Sequence, residues 1–296
     1  MIIVNLVGGL GNQMFQYACG RALAESTGQD LRFCIDGLTN YATERSLELE
    51  DAFDLTINKA TAKDLANLIG SWRTAYLIRK TLAHPTFRRL CGPSFLAEYR
   101  LTFVRNLVEL VQAGAYLHGY WQNHRYFESH AQLIRNAFCF RGNLDPKNMA
   151  FLKRISDGPS IGIHVRRGDY VDDPRAFSRH GILSGNYYQA AIRRLREIAP
   201  SAHIFAFSDE PEWVRYNILS QIENSECVTH NSGLMSFRDM QLMSLCDYVV
   251  IANSTFSWWA AWLNNNPGKI VIAPQSWFSD AALNMDFILP AEWVQI

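Results

Sequence analysis

The chain has 296 residues, 48% of them hydrophobic and 19% charged, with Lys plus Arg and Asp plus Glu equal at 28 each. That supplies a large core for one domain or two, and the zero formal charge gives no bulk attraction to a polyanion, so no nucleic-acid partner is expected. None of the six cysteines forms a CxxC pair and no run reaches the ~18 apolar residues of a membrane span, which points to a reduced, cytoplasmic protein.

In chain order, residues 2–7 (IIVNLV) predict a short buried strand, not a signal peptide, because no basic region precedes them. Gly8, Gly9 and Gly11 end it. From Asn12, Phe15, Ala18, Cys19, Ala22 and Leu23 recur at helical spacing as far as Thr27. Leu31–Ile35 reads as the next strand, completing a strand–turn–helix–strand unit of parallel type. Residues 59–92 are mostly helical by pattern, interrupted by Pro85 and Pro93. The basic stretch around Arg73–Arg105 is either a solvated face or a peripheral membrane contact. Ala115–Trp121 predicts a strand and Asn123–Phe138 a helix.

Glycine, proline and mixed charge between Arg141 and Ser160 mark a junction, so domains at 1–150 and 151–296 are expected. Beyond it the alternation is cleaner. Strands fall at 161–166, 203–207, 226–228, 247–252 and 269–273, and helices at 186–198, 210–219, 237–245 and 255–264. The expected architecture is α/β, two parallel-sheet domains facing across a cleft, with ligands at the C-terminal strand ends.

Three of those ends are polar. IGIHVRRGDY (161–170) runs from an apolar strand into His164, Arg166, Arg167 and Asp169, with His164 and Arg166 on one face by strand alternation. The planar fork of Arg166 suits a phosphate; Asp169 either holds an arginine or binds a hydroxyl, and a structural Arg–Asp network is the plain alternative. In FAFSDE (205–210), Asp209 either accepts from a guanine edge or ribose hydroxyl or caps a helix. In VVIANSTFSWWAAW (249–262), Asn253, Ser254, Thr255 and Ser257 lie where strand passes into helix, an anion nest or an ordinary cap. Trp258 and Trp259 are adjacent, so at least one is packing.

GGLGNQMF is neither a dinucleotide fingerprint, having Met14 at the third glycine position, nor a Walker loop. Gly158–Gly162 matches G-x-S-x-G, but Ser160 precedes its strand, which argues against a hydrolase elbow. No HExxH, zinc cysteine cluster, calcium loop or Asp-x-Asp pair is present, so no metal site is expected.

Together, GGLGNQMFQYA (8–18), HVRRGDY (164–170), FSDE (207–210) and ANSTFSWWAAWL (252–263) resemble the bacterial α-1,2-fucosyltransferases of glycosyltransferase family 11, relatives of α-1,6- and protein O-fucosyltransferases. The resemblance implies a GT-B fold, GDP-β-L-fucose as donor with no metal or other cofactor, and transfer to O2 of a terminal galactose on an oligosaccharide or lipid-linked glycan. On the matching positions it implies that Arg166 binds the diphosphate with Arg167 in support. His164 and Asp209 would contact the nucleoside, and Ser254, Thr255 and Ser257 would hold phosphate. Gly9, Gly11 and Asn12 would approach the fucose. Asp36 and His124 are equal candidates for the general base, with proton loss to the departing phosphate a third route. Transfer in another linkage, such as to O6 of N-acetylglucosamine, and a catalytically silent binding module are the competing readings.

Overall fold

The computed structural model describes residues 1–39, 45–99, 101–168, 178, 181–279 and 288–296. The chain divides into two compact units, one built on Met1–Arg141, the other on Gly142–Leu283 and Leu289–Ile296. The division falls before the expected 150/151 boundary because a helix, Pro146–Ser156, runs unbroken through it. Asp145 caps that helix by accepting from the backbone N–H groups of Lys147 and Asn148.

In the first unit, β1 (Ile2–Asn5), α1 (Leu10–Thr27), β2 (Leu31–Cys34), α2 (Ala62–Ile69), α3 (Tyr76–Leu82), β3 (Phe95–Ala97), β4 (Ala115–His118) and α4 (Ala131–Ala137) surround a four-stranded parallel sheet ordered β2-β1-β4-β3. Ile2 lies opposite both Leu31 and Ala115. Helix α1 is buried on nearly every side. It lies so close to the sheet that a Cβ on Gly20 would come within 2.5 Å of Val4 Cγ2.

The expected helical stretch at 59–92 proves to be α2 and α3 with a 3-10 turn between them at Ser71–Arg73 and a second after α3 at Pro85–Leu90. Gly70, at φ +89°, ends α2 in a conformation that other residues resist. Strand β4 stops at His118, since Trp121 takes φ +55° and turns the chain away from the sheet. The helix expected from 123 starts only at Ala131, after two 3-10 turns. Asn123 fixes the first of them by accepting from the N–H of Arg125.

The second unit contains α5 (Pro146–Ser156), β5 (Ser160–Val165), α6 (Gly185–Ile198), β6 (His203–Ser208), β7 (Ser225–Val228), α7 (Phe237–Met243), β8 (Tyr248–Val250), α8 (Thr255–Leu263), β9 (Ile270–Ala273) and β10 (Val294–Gln295). Its six-stranded parallel sheet is ordered β10-β9-β8-β5-β6-β7. In place of the helix expected at 210–219 there is one α-turn, Pro211–Val214, followed by a π-turn, Arg215–Leu219. Ile161, Ile163 and Val165 of β5 join Tyr188, Ile192 and Leu195 in one core layer. Gly162 takes the other face, where a Cβ would meet Cys246 Sγ at 3.0 Å. Trp258 and Trp259 are both fully buried, edge to face at 5.0 Å, so both are packing residues.

The strand order places the ligand ends. Where neighbouring parallel strands send their connections in opposite directions, their C-terminal ends open a crevice. In the second unit that point lies between β5 and β8; in the first, β1 and β4 are the central pair of the sheet and their ends lie side by side.

Candidate functional site

At the β5 end, His164 is buried and its ring lies 5.3 Å from that of Phe256 in the first turn of α8. Burial, helped by the nearby Arg166 charge, drives its pKa down to about 3, so the imidazole is neutral at any physiological pH. Among the described residues its Nδ1 has no hydrogen-bond partner, which is costly for an enclosed polar atom.

The next turn is organised by one carboxylate. Asp209 accepts from the backbone N–H groups of Arg167 at 3.0 Å and Gly168 at 3.1 Å, and it pairs with Arg166 Nη1 at 3.1 Å. Arg167 is fixed separately, by Glu210 Oε2 at 3.2 Å and by the Trp213 ring 3.8 Å beneath its guanidinium. Asp209 therefore shapes this turn, while the helical start at Pro211 leaves it outside any capping role. Asp169 lies outside the described residues.

At the β8 end, Ser254 caps α8, its hydroxyl accepting from the N–H of Phe256. Ser257 is fully buried and donates to the carbonyls of Ala252 and Ser254, at 3.3 and 3.2 Å, so its hydroxyl serves the helix start. Asn253 donates to the Trp277 carbonyl. A helix start with this fixed geometry offers backbone N–H groups and positive dipole to an anion. It stands beside the arginine turn at the switch point. Ser160 is buried and bonded to Asp247 through both its N–H and its hydroxyl, at 2.9 Å each, so it is a structural pin.

In the first unit, Gly8 at φ +81° lets the chain leave β1, and a Cβ there would strike the Asn12 amide. Three glutamines lock this turn, Gln13, which the sequence offers with Asn12 as a ligand neighbour, and Gln16 and Gln122, which it does not single out. Gln13 donates to the carbonyls of Gly8 and Ser46 and accepts from the N–H of Glu48. Gln16 accepts from the N–H of Val7 and donates to the carbonyls of Val7 and, 3.1 Å away beyond the end of β4, Gly119. Gln122 then donates to Asn12 Oδ1 at 2.8 Å. Gly9, Gly11 and Asn12 thus share one framework with the segment after β4.

Glu98, beyond β3, is a second residue the sequence reading missed. It accepts from the N–H groups of Tyr120 and Trp121 at 2.8 and 2.9 Å. Enclosure lifts its carboxyl to about 7, although those two bonds pull the other way. Asp36, by contrast, is held 2.6 Å from the buried guanidinium of Arg79, which also donates to the Tyr116 hydroxyl. His124 opens the 3-10 turn after β4.

Among the described residues no group of three or more His, Cys, Asp or Glu is placed to hold a metal ion. All six cysteines are free thiols.

Two parallel α/β units, each with a fixed polar turn at the C-terminal ends of its central strands, have the organisation of a GT-B glycosyltransferase. The profile of "Glycosyl transferase family 11" matches residues 100–296, and the chain belongs to that family. It is 33% identical over 297 residues to the "Alpha-1,2-colitosyltransferase" of Escherichia coli, covering 100% of this chain and 99% of that one. It is 32% identical over 308 residues to the "O-antigen biosynthesis glycosyltransferase WbnK" of the same organism, covering 98% and 99%. Among solved structures it resembles the NodZ alpha-1,6-fucosyltransferase soaked with GDP-fucose, with a TM-score of 0.55, 18% identity and coverage of 88% and 92%. That likeness is one of fold.

Proposed function

We propose that this glycosyltransferase moves L-fucose from GDP-β-L-fucose to a hydroxyl of a glycan acceptor with inversion at the anomeric carbon. The second unit takes GDP and the first takes the acceptor. The observation that carries the reading is the Arg166–Gly168 turn, braced by Asp209 and set beside the start of α8.

In the reaction, the acceptor oxygen attacks the anomeric carbon from the face opposite the diphosphate. The bond to the leaving β-phosphate oxygen breaks, and the hydroxyl proton passes to a base. Charge grows on the departing GDP, where Arg166 and helix-start N–H groups stabilise it. Neutral His164 contributes shape and a single polar atom to the nucleoside side. For the base, Glu98 is better matched than Asp36: its pKa near 7 suits proton abstraction at neutral pH, whereas Asp36 already holds Arg79. A Glu98 base gives activity that rises with pH through about 7, a limb absent from Glu98→Gln; Asp36→Ala and His124→Ala keep that limb.

The first linkage reading is α-1,2, to O2 of a terminal β-galactoside in an oligosaccharide or lipid-linked glycan; the name of the colitosyltransferase relative supports the α-1,2 linkage. The second is α-1,6, the linkage named for the NodZ enzyme that shares this fold. The deciding experiment is linkage-resolved product analysis with GDP-fucose, run with and without EDTA on lactose and on N-acetylglucosamine-terminated acceptors. A galactose-O2 product supports the first reading and an O6 product the second. GDP binding without transfer to any acceptor identifies a silent binding module and refutes the enzyme reading.

A further inference from the structure

The chain's charges balance overall, yet no Asp or Glu occurs from Leu65 to Ala97, a stretch that contains Arg73, Arg79, Lys80, Arg88 and Arg89. The same stretch carries five of the thirteen exposed large hydrophobic side chains found among the described residues: Trp72, Leu77, Ile78, Phe87 and Leu90. Single exposed apolar residues are ordinary, but a cluster within nineteen residues, Trp72 to Leu90, is not.

Local structure explains the clustering. Helix α3 turns Arg79 and Leu82 inward and leaves Leu77, Ile78 and Lys80 outside, Leu77 being 71% exposed. The 3-10 turn Pro85–Leu90, packed on α3, sets Phe87 and Leu90 three residues apart, one turn of that helix and hence one face. Arg73 staples the ends together. Its guanidinium lies 4.5 Å from the Trp72 ring centre and donates to the carbonyls of Ile69 and Leu90, at 2.7 and 2.8 Å. Trp72, 53% exposed, is thereby held near Leu90, which is 55% exposed.

We infer that this face of the first unit, with Trp72, Leu77, Phe87 and Leu90 as its apolar contacts and Lys80 and Arg89 as its cations, docks the protein on an anionic phospholipid bilayer. Charge complementarity selects that occupant. Apolar side chains that include a Trp, among cations with no acidic residue between them, match the boundary between lipid headgroups and acyl chains. The contact is peripheral, since among the described residues no helix is long and apolar enough to cross a membrane. The inference goes beyond the transfer reaction and stands or falls independently of donor and linkage.

The test is co-sedimentation of the full chain with vesicles of phosphatidylglycerol and phosphatidylethanolamine, compared with phosphatidylcholine alone. Each basic side chain near such a surface contributes about fivefold in partition, so Lys80→Gln with Arg89→Gln is expected to weaken binding about thirtyfold. Leu77→Gln with Phe87→Gln is expected to weaken it independently of salt, and every variant should keep wild-type turnover of a soluble acceptor. No binding of the wild type to the anionic vesicles, equal binding to phosphatidylcholine, or variants that bind like the wild type would each overturn the inference. So would a concentration-dependent dimer, seen by sedimentation velocity, that the Leu77 and Phe87 substitutions abolish; that result gives the face to a second copy of the chain.

Discussion

Replacing Asp209 with Asn keeps the shape of the side chain and removes its charge. In the native turn one carboxylate serves three donors, the N–H groups of Arg167 and Gly168 and Nη1 of Arg166, at 3.0, 3.1 and 3.1 Å. An Asn oxygen satisfies one backbone N–H, but its own NH2 then faces the other, donor against donor. Hydrogen bonds to a charged group contribute ~1.5–3 kcal/mol each. Solvent screens this pair, whose side chains are 31% and 25% exposed, so the lower end applies. A net cost of about 2–3 kcal/mol in holding the turn corresponds to a roughly 30- to 150-fold loss of kcat/KM. The assay is initial-rate transfer from GDP-fucose to a fluorescent lactoside, with GDP affinity measured by calorimetry and folding checked by Tm. Glu210→Gln serves as the control; it should cost far less, because Arg167 retains the Trp213 ring. If folded Asp209→Asn keeps wild-type GDP affinity and turnover, the turn does not depend on its carboxylate and the reasoning is wrong. A double-mutant cycle with Arg166→Ala should also show non-additivity, since the two side chains touch.

Three further outcomes are expected. Arg166→Ala should lose about 10²–10³-fold in turnover, or ~3–4 kcal/mol of transition-state stabilisation, with unchanged circular dichroism; near-normal turnover would refute its role at the diphosphate. Gln16→Ala strands the N–H of Val7 in the core, which costs ~1–3 kcal/mol and is expected to lower Tm by several degrees, as scanning calorimetry would show. Burial holds the His164 pKa at about 3 in the folded chain, against the ordinary imidazole value of 6.5. The unfolded chain therefore binds the extra proton between those values, and stability falls as pH drops through that window by about 1.4 kcal/mol per pH unit. Denaturant titrations of His164→Gln should show a shallower decline below pH 6.5, and an unchanged slope would exclude this histidine as the source.

The second unit was the more legible in sequence. Its central strands, such as Ile161–Val165 and Phe205–Ser208, are buried runs punctuated by polar residues, and each precedes or follows an amphipathic segment. The edge strands were harder. Phe95–Ala97 and Val294–Gln295 are too short to show any period, and only pairing with a neighbour makes them strands. The segment from Pro211 to Leu219 has one continuous helical pattern, yet it widens to π-geometry midway, which periodicity does not register.

For the site, His164 and the two arginines are candidates from sequence because polar and charged groups at the end of an apolar strand demand partners. Glu98, Gln16 and Gln122 are not. Glutamine in a helix normally reads as surface, and it takes the sheet order to bring residues 16 and 119 together. One signal was present. Gln13 and Gln16 are three apart, so they share a face, on a helix whose remaining turns are too apolar to leave that face in water.

The Gln16 amide also sets a rule for remodelling this enzyme. One side chain satisfies both backbone groups of Val7 and the carbonyl of Gly119, so the exits of β1 and β4 are welded into a single part. Exchanging either loop alone with a relative, in search of a new acceptor, leaves the graft facing a register set by the other. Residues 5–16 and 115–124 should be transplanted as one cassette, leaving the rest of the first unit as the ground for directed evolution.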